Sequence, residues 1–155
     1  MSLQGQLITY GADLSNAIRY RKVTLTNAQI KALNATPKEL VAAPGSNRMI
    51  EFVSAILKLN AGTNVLTESA DNLAIRYTGV AGVTVTEAIE ATGFVDASVD
   101  TFTNAVPKLD TIVAATGALG EKLVLHNTGN GEYGGNAAAD ATMEVHILYR
   151  LHKFV

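Results

Sequence analysis

Few residues in this chain are of types that do chemistry, and their spacing limits what they can do. Gly129-Asn130-Gly131-Glu132-Tyr133-Gly134 has the G-x-G-x-x-G spacing of a dinucleotide-binding turn and comes after a segment of strand character. That chemistry needs glycines that let backbone approach a pyrophosphate, a helix that offers its first amides, and an acidic residue about twenty positions on. Here the chain runs on into an uninterrupted strand pattern, so a glycine-rich loop between sheet strands is expected instead. The histidines are His126, His146 and His152. His146 and His152 fall on one strand face six residues apart, roughly 20 Å at about 3.3 Å per residue, too far to share a metal ion. Glu144 and His146 are neighbours on that face, as expected of a solvated or interface pair. Asp96, Asp100 and Asp110 lack the alternating ligands and glycine of a calcium loop. Neither a G-x-S-x-G elbow nor an H-E-x-x-H helix occurs. Asn34-Ala35-Thr36 is a glycosylation acceptor only in a secreted protein, and the first twenty residues lack the basic-then-apolar layout of a signal peptide. The expectation is a protein that is not an enzyme, with no catalytic residue, no cofactor and no metal.

Composition agrees with a binding or structural role. The 155 residues carry a formal charge of −2 and no cysteine, so neither a disulfide framework nor a thiolate zinc site is open to them. Nucleic-acid binding needs clustered Lys and Arg to displace counterions, and Arg19, Arg21 and Lys22 form only a small cluster beside a strand. No run approaches the roughly 18 apolar residues that cross a bilayer. Neither a nucleic acid nor a membrane is therefore expected as a partner. Charged residues make up 17% of the chain, against roughly 25% in typical soluble domains. A surface rich in Thr, Asn, Ala and Gly costs little to desolvate, which suits contacts between copies, because interface cores are depleted of charge.

The elements that would position these residues are organised around residues 38–60. Two apolar runs flank Ala43-Pro44-Gly45-Ser46, where Pro fits the second and Gly the third position of a type II turn. The two runs are expected to pair as an antiparallel hairpin. The second, with Ile50 and Phe52 on one side and Val53, Ala55, Leu57 and Leu59 on the other, is expected to be a central strand apolar on both faces. Before it, Val23 to Thr26 reads as a strand, and Thr26-Asn27-Ala28-Gln29 as a capping box opening one short helix over residues 27–33, with Ile30 and Leu33 docked on the sheet. Residues 1–20 read as an N-terminal arm outside a main domain of residues 21–155. Its apolar residues Leu7, Ile8, Tyr10, Leu14 and Ile18 are candidates for contact with a neighbouring subunit or partner. Beyond the hairpin, Leu73, Ile75 and Tyr77 alternate as a half-buried strand, Gly79 to Gly82 is a turn, and Val83 to Thr86 continues the sheet. Gly93 to Pro107 fits either period and leans towards irregular structure. Lys108 to Ala115 and Glu121 to Asn127 read as two short strands. Last, Met143, Val145, Ile147, Tyr149 and Leu151 alternate with Glu144, His146, Leu148, Arg150 and His152. The first set is expected in the core; Glu144, His146, Arg150 and His152 on the opposite face are candidate partner or oligomer contacts. Short strands about ten residues apart with turns between them predict an all-β fold, an antiparallel β-sandwich of jelly-roll or related type.

Four segments carry a resemblance: V-T-L-T-N-A-Q-I-K-A-L from Val23, L-V-A-A-P-G-S-N-R-M-I from Leu40, E-K-L-V-L-H-N-T-G-N-G-E-Y-G-G-N from Glu121, and V-H-I-L-Y-R-L-H from Val145. Over about Val23 to His152 the chain resembles small virion structural proteins of tailed bacteriophages, and within that group the head decoration, or cement, proteins. The resemblance implies a β-rich homo-oligomer, most often a trimer, that binds the major capsid protein or another virion protein. It implies a place on the virion head surface after synthesis in the host cytoplasm. A tail, baseplate or fibre module, or a β-sandwich that binds a carbohydrate or small ligand, is the alternative.

Overall fold

The computed structural model describes residues 16–68, 71–78, 82–110 and 112–154. Strand β1 (Arg19–Thr26) leads directly into a short helix, α1 (Asn27–Lys31), then β2 (Lys38–Val41), β3 (Arg48–Asn60), β4 (Leu66–Thr67) and β5 (Leu73–Tyr77). After a long connection come β6 (Thr101–Ala105), a 3-10 turn (Ala115–Gly117), β7 (Leu123–Asn127), β8 (Gly134–Gly135) and β9 (Thr142–Lys153). The fold is all-β and antiparallel: a four-stranded sheet in the order β1-β9-β3-β6 packs on a three-stranded sheet in the order β2-β7-β5, and β4 pairs with β8 apart from both. Strand β1 starts at Arg19, so the last two residues of the expected arm belong to the sheet.

The expected hairpin does not form. β2 pairs with β7 in one sheet, while β3 pairs with β9 and β6 in the other. The turn falls at Ser46-Asn47 and not at Pro44-Gly45, inside a six-residue connection between Val41 and Arg48. Gly45 (φ 89°) does adopt the positive φ expected of it, and Asn47 (φ 58°) adds another. The turn carries the chain from one layer of the sandwich to the other. β3 is an interior strand, as expected, but not an apolar one on both faces. Phe52 sits opposite Tyr149 and Ser54 opposite Leu148, which leaves Val53 as an extra residue in a β-bulge. The bulge reverses the inward–outward phase. Ile50 and Phe52 before it, and Ala55, Leu57 and Leu59 after it, thus all enter the same core.

β9 keeps to its pattern without interruption. Met143, Val145 and Ile147 are fully buried, and Tyr149 and Leu151 pack against the core. The other layer contributes Leu40, Leu73, Ile75, Leu123 and Leu125. Tyr77 joins the two, its hydroxyl donating 2.5 Å to the Ile50 carbonyl; burial, with Glu51 nearby, pushes this phenol up to about 12. At α1 the capping box is complete, since Thr26 Oγ1 accepts from Gln29 N and Gln29 Oε1 accepts from Thr26 N. Five residues of helix cannot hold themselves. Ile30 and Leu33, both at 0% exposure, dock the segment, each gaining about 1.5–3 kcal/mol by burial.

Three expected elements change character. Val83 to Thr86 forms no ladder: it is held by single bridges, Thr84 to Arg76 and Thr86 to Pro107, and by Ile75 N donating to Thr86 Oγ1; the turn expected before it falls mostly outside the described residues. In Gly93 to Pro107, Phe94 and Val95 are buried in an irregular turn and the end becomes edge strand β6. Lys108 to Ala115 forms no strand among its described residues. Its base is held by Lys108 N donating to the Val85 carbonyl and Glu87 N to the Val106 carbonyl, while Leu109 and Ile112 stand almost wholly in solvent.

Candidate functional site

The alternation of β9 gives the four-stranded sheet one face towards the core and one face outwards, and the register lays the outward side chains in rows. One row runs Thr24, Glu144, Lys58 and Phe102; the next runs Lys22, His146, Ile56 and Asn104; the third runs Tyr20, Leu148 and Ser54. Tyr20, Ser54, Ile56, Phe102, His146 and Leu148 line an apolar concavity of about 400 Å³. Three of its walls are large exposed side chains: Tyr20 at 60%, Ile56 at 48% and Phe102 at 66%.

Charge surrounds this concavity in pairs that neutralise one another. Lys22 Nζ lies 2.7 Å from Glu144 Oε1, and His146 Nε2 lies 3.2 Å from Glu144 Oε2. These hydrogen bonds, Lys22 first, hold the Glu144 carboxyl below its usual range. Across the sheet, Lys58 Nζ lies 3.6 Å from Asp100 Oδ2 and 5.9 Å from the centre of the Phe102 ring. Beyond Leu148, His152 Nε2 meets Glu51 Oε2 at 2.7 Å and Arg150 Nη1 lies 3.4 Å from the same oxygen. The His152 hydrogen bond, with Arg150 adding to it, lowers the Glu51 carboxyl against the opposing effect of burial. Surface pairs of this kind contribute little to folding. Their effect is to leave a balanced rim around an apolar centre.

Ser54 and His146 line the same concavity and His146 bonds to Glu144, which raises the question of a nucleophile and its base. The Tyr20 hydroxyl is 2.7 Å from His146 Nδ1, and Glu144 takes the other ring nitrogen. One neutral tautomer satisfies both contacts: Nδ1 accepts from the phenol and Nε2–H donates to the carboxylate. No ring nitrogen then remains to take a proton from Ser54, as a nucleophilic serine requires. Among the described residues, no group of three or more His, Asp or Glu is placed to hold a metal ion.

Of the residues singled out in the sequence, Glu144, His146, Arg150 and His152 all lie on this outer face, in two clusters: Lys22–Glu144–His146–Tyr20, and Glu51–Arg150–His152. Ile18 is exposed. Leu7, Ile8, Tyr10 and Leu14 lie outside the described residues. Sequence reasoning misses the apolar half of the face, Tyr20, Ile56 and Phe102. Leu148 is the available signal, an aliphatic side chain at an outward position in an otherwise polar register.

The glycine-rich loop serves a different purpose. It leads from β7 into β8 and not into a helix. The amide that an anion would need is occupied, since Gly129 N donates to Asn127 Oδ1 at 2.8 Å, and Asn127 Nδ2 donates to the Gly131 carbonyl. Glu132 accepts from the amides of Asn34 and Ala35 at 3.0 and 2.9 Å. The buried Tyr133 hydroxyl, its pKa raised mainly by burial, donates to the Asp71 carbonyl. The loop thus ties the turn after α1 to β5 and β7. Asn34, the acceptor of the glycosylation triplet, has its amide nitrogen committed to the carbonyls of Asn127 and Gly129 at 3.2 and 2.7 Å. A glycan on that nitrogen would break this tie. His126, 3% exposed, has no hydrogen bond of normal geometry at either ring nitrogen.

Comparison with known proteins identifies no family: no family model matches the chain, and no curated protein matches its sequence. A chain in the structure of infectious bursal disease virus, Gx strain, aligns with 91% of this chain and 38% of its own length, at 10% identity and a TM-score of 0.25. A similarity that low carries no argument about fold or function, and this chain spans well under half of that one.

Proposed function

We propose that this is a non-enzymatic structural protein of a bacteriophage virion, a capsid decoration protein that self-associates and binds the outer shell. The observation that carries the reading is the outer face of the four-stranded sheet: an apolar concavity inside a rim of mutually neutralised pairs, with both nitrogens of its histidine committed. A surface of that composition is built to be covered, because its centre gains on burial and its rim carries no net charge to be desolvated unpaired. The resemblance of four segments of the chain to small virion proteins supports the phage assignment. Repeated weak contacts suit such a role, since subunits of an oligomer that engage one particle bind far more tightly than a single subunit. Partners are other copies of the chain, in a trimer, and the major capsid protein at the head surface.

Co-sedimentation with purified expanded heads tests the reading. Saturable pelleting with heads and none with tails is the expected result; pelleting with tails or fibres alone makes the protein a tail module. A second reading draws on Tyr20 and Phe102, two exposed rings beside one concavity, which is how aromatic platforms hold a sugar or other small ligand. A glycan or small-ligand screen that shifts the Tyr20 resonances, with no binding to heads, would favour it.

A further inference from the structure

Two large aliphatic side chains are more exposed than any wall of the concavity: Leu109 at 95% and Ile112 at 97%. Thr111, between them, lies outside the described residues. The loop that carries them is anchored on one side by Lys108 N donating to the Val85 carbonyl and by the Thr86–Pro107 bridge, and on the other by half-buried Val113 against the core. A fixed base that presents two bare aliphatic tips is a knob. Within one molecule the knob stays in solvent while Tyr20, Ile56 and Phe102 stay open, so the chain does not fill its own concavity.

We infer that the concavity on the outer face of the four-stranded sheet receives Leu109 and Ile112 of a second copy of this chain. Size permits it: about 400 Å³ falls within the range of pockets that take small apolar groups, room for two aliphatic tips. Charge permits it as well. Lys108 and Asp110 flank the knob, 4.0 Å apart, and Lys58 and Asp100 flank the Phe102 wall, 3.6 Å apart. Each pair holds one charge of either sign, so the two can exchange partners across the contact without leaving a charge unpaired. Because knob and concavity are different surfaces, the contact is heterologous: repeated around an axis it closes a ring, and without closure it runs into an open chain. The inference rests on the reading of this face as a docking surface, and concerns the self-association in that reading.

The absence of cysteine makes the test direct. Sedimentation of the full chain at micromolar concentrations and above is expected to show association, which Leu109→Asp with Ile112→Asp, or Phe102→Asp alone, weakens at least about tenfold. Each variant should keep the circular dichroism of the parent, since all three positions face solvent; Leu109→Ser with Ile112→Ser is a milder substitute if the aspartates do not fold. Mixing a knob variant with the concavity variant should then restore a pair and nothing larger, because each brings the intact half that the other lacks. Mixed Leu109→Cys and Phe102→Cys chains should form a disulfide under mild oxidation. A persistent monomer, no recovery on mixing, or a Phe102→Cys chain that cross-links to itself in preference would overturn the inference. Binding to heads is measured separately: association by this contact with no pelleting sinks the decoration reading alone, and pelleting by a strict monomer sinks this inference alone.

Discussion

The loop after β7 and the outer face of the four-stranded sheet both hold polar side chains in close array, and they direct them oppositely. In the loop, Asn127, Tyr133 and the neighbouring Asn34 bond to buried or half-buried backbone carbonyls, and exposed Glu132 bonds to two backbone amides. On the sheet, Lys22, Glu144, Glu51, Arg150 and His152 bond to one another at the surface, where water would serve them almost as well. The loop has the sequence of a ligand site and the wiring of a structural clasp. The sheet face has no recognisable motif and an open apolar centre. Polar residues in a motif-like spacing are thus spent on folding here, while ordinary aliphatic and aromatic residues make the surface that remains to be covered.

The sharpest contrast lies within β9 itself. Ile147, fully buried, should cost about 2–5 kcal/mol on Ile147→Ala through lost transfer energy and the cavity left behind. A urea titration reads this as a lower midpoint at unchanged slope; a loss below about 1 kcal/mol would show that the core relaxes around the site. In the clasp, a methyl group added at Gly129 would overlap both the carboxyl group and the Cβ of Asp71. Rotating the carboxylate clears the first overlap but not the second, so Gly129→Ala should destabilise by about 1–3 kcal/mol, the scale of overpacking. Thermal melts of Gly129→Ala beside an alanine at exposed Asn130 would check it, the control moving little.

The same contrast divides what is legible in the sequence from what is not. β9, β5 and the capping box are legible because each rests on local periodicity or on contacts three residues apart; β7 is read as a short strand although, buried at all five positions, it shows no alternation. The layering of β2 and β3 is not, because Pro-Gly between apolar runs looks the same whether the flanking strands pair with each other or with strands far along the chain. The bulge at Val53 hides in the same way: one inserted residue turns a single inward face into an apparent pair of apolar faces. Of the candidate site, the polar half is legible from the alternation of β9. Its apolar half comes from β1, β3 and β6, and only the register between strands brings Tyr20, Ile56 and Phe102 together. Leu109 and Ile112 have the composition of a strand interior, and hydrophobicity says nothing of where a loop leaves the sheet.

A pH titration separates the clasp side of the molecule from the sheet face. Burial, with Arg76 nearby, lowers the His126 pKa from 6.5, against smaller opposing effects of Asn34 and Glu132. The unfolded chain therefore binds a proton more readily than the folded one as pH falls below about 6.5, so stability is full above that value and declines on acidification until the folded state also protonates. Glu51 and Glu144 are lowered from 4.5; their contribution is present above that value and lost only as pH falls below it. Urea midpoints measured from about pH 7.5 to about pH 5 should fall for the parent protein and stay flat for His126→Leu. A parent profile that is flat until the carboxylates titrate would show that His126 adds nothing to the acid response, which would then belong to Glu51, Glu144 and Asp140.

The smallest effect is expected at His146, one residue before Ile147 on the same strand. Its ring lies at the rim of the concavity, bonded to Tyr20 and Glu144. Removing it with His146→Ala breaks two hydrogen bonds whose partners can turn to water, so folding stability should change by no more than about 0.5 kcal/mol. Association is a different matter, because the same substitution frees the Tyr20 phenol and enlarges the concavity that the neighbouring copy's side chains would fill. A variant with parent-like urea midpoint but weaker self-association is therefore the expected outcome. If instead stability fell as far as in Ile147→Ala while association held, the outer face would be part of the fold's support, and the division between the two faces of β9 would be wrong.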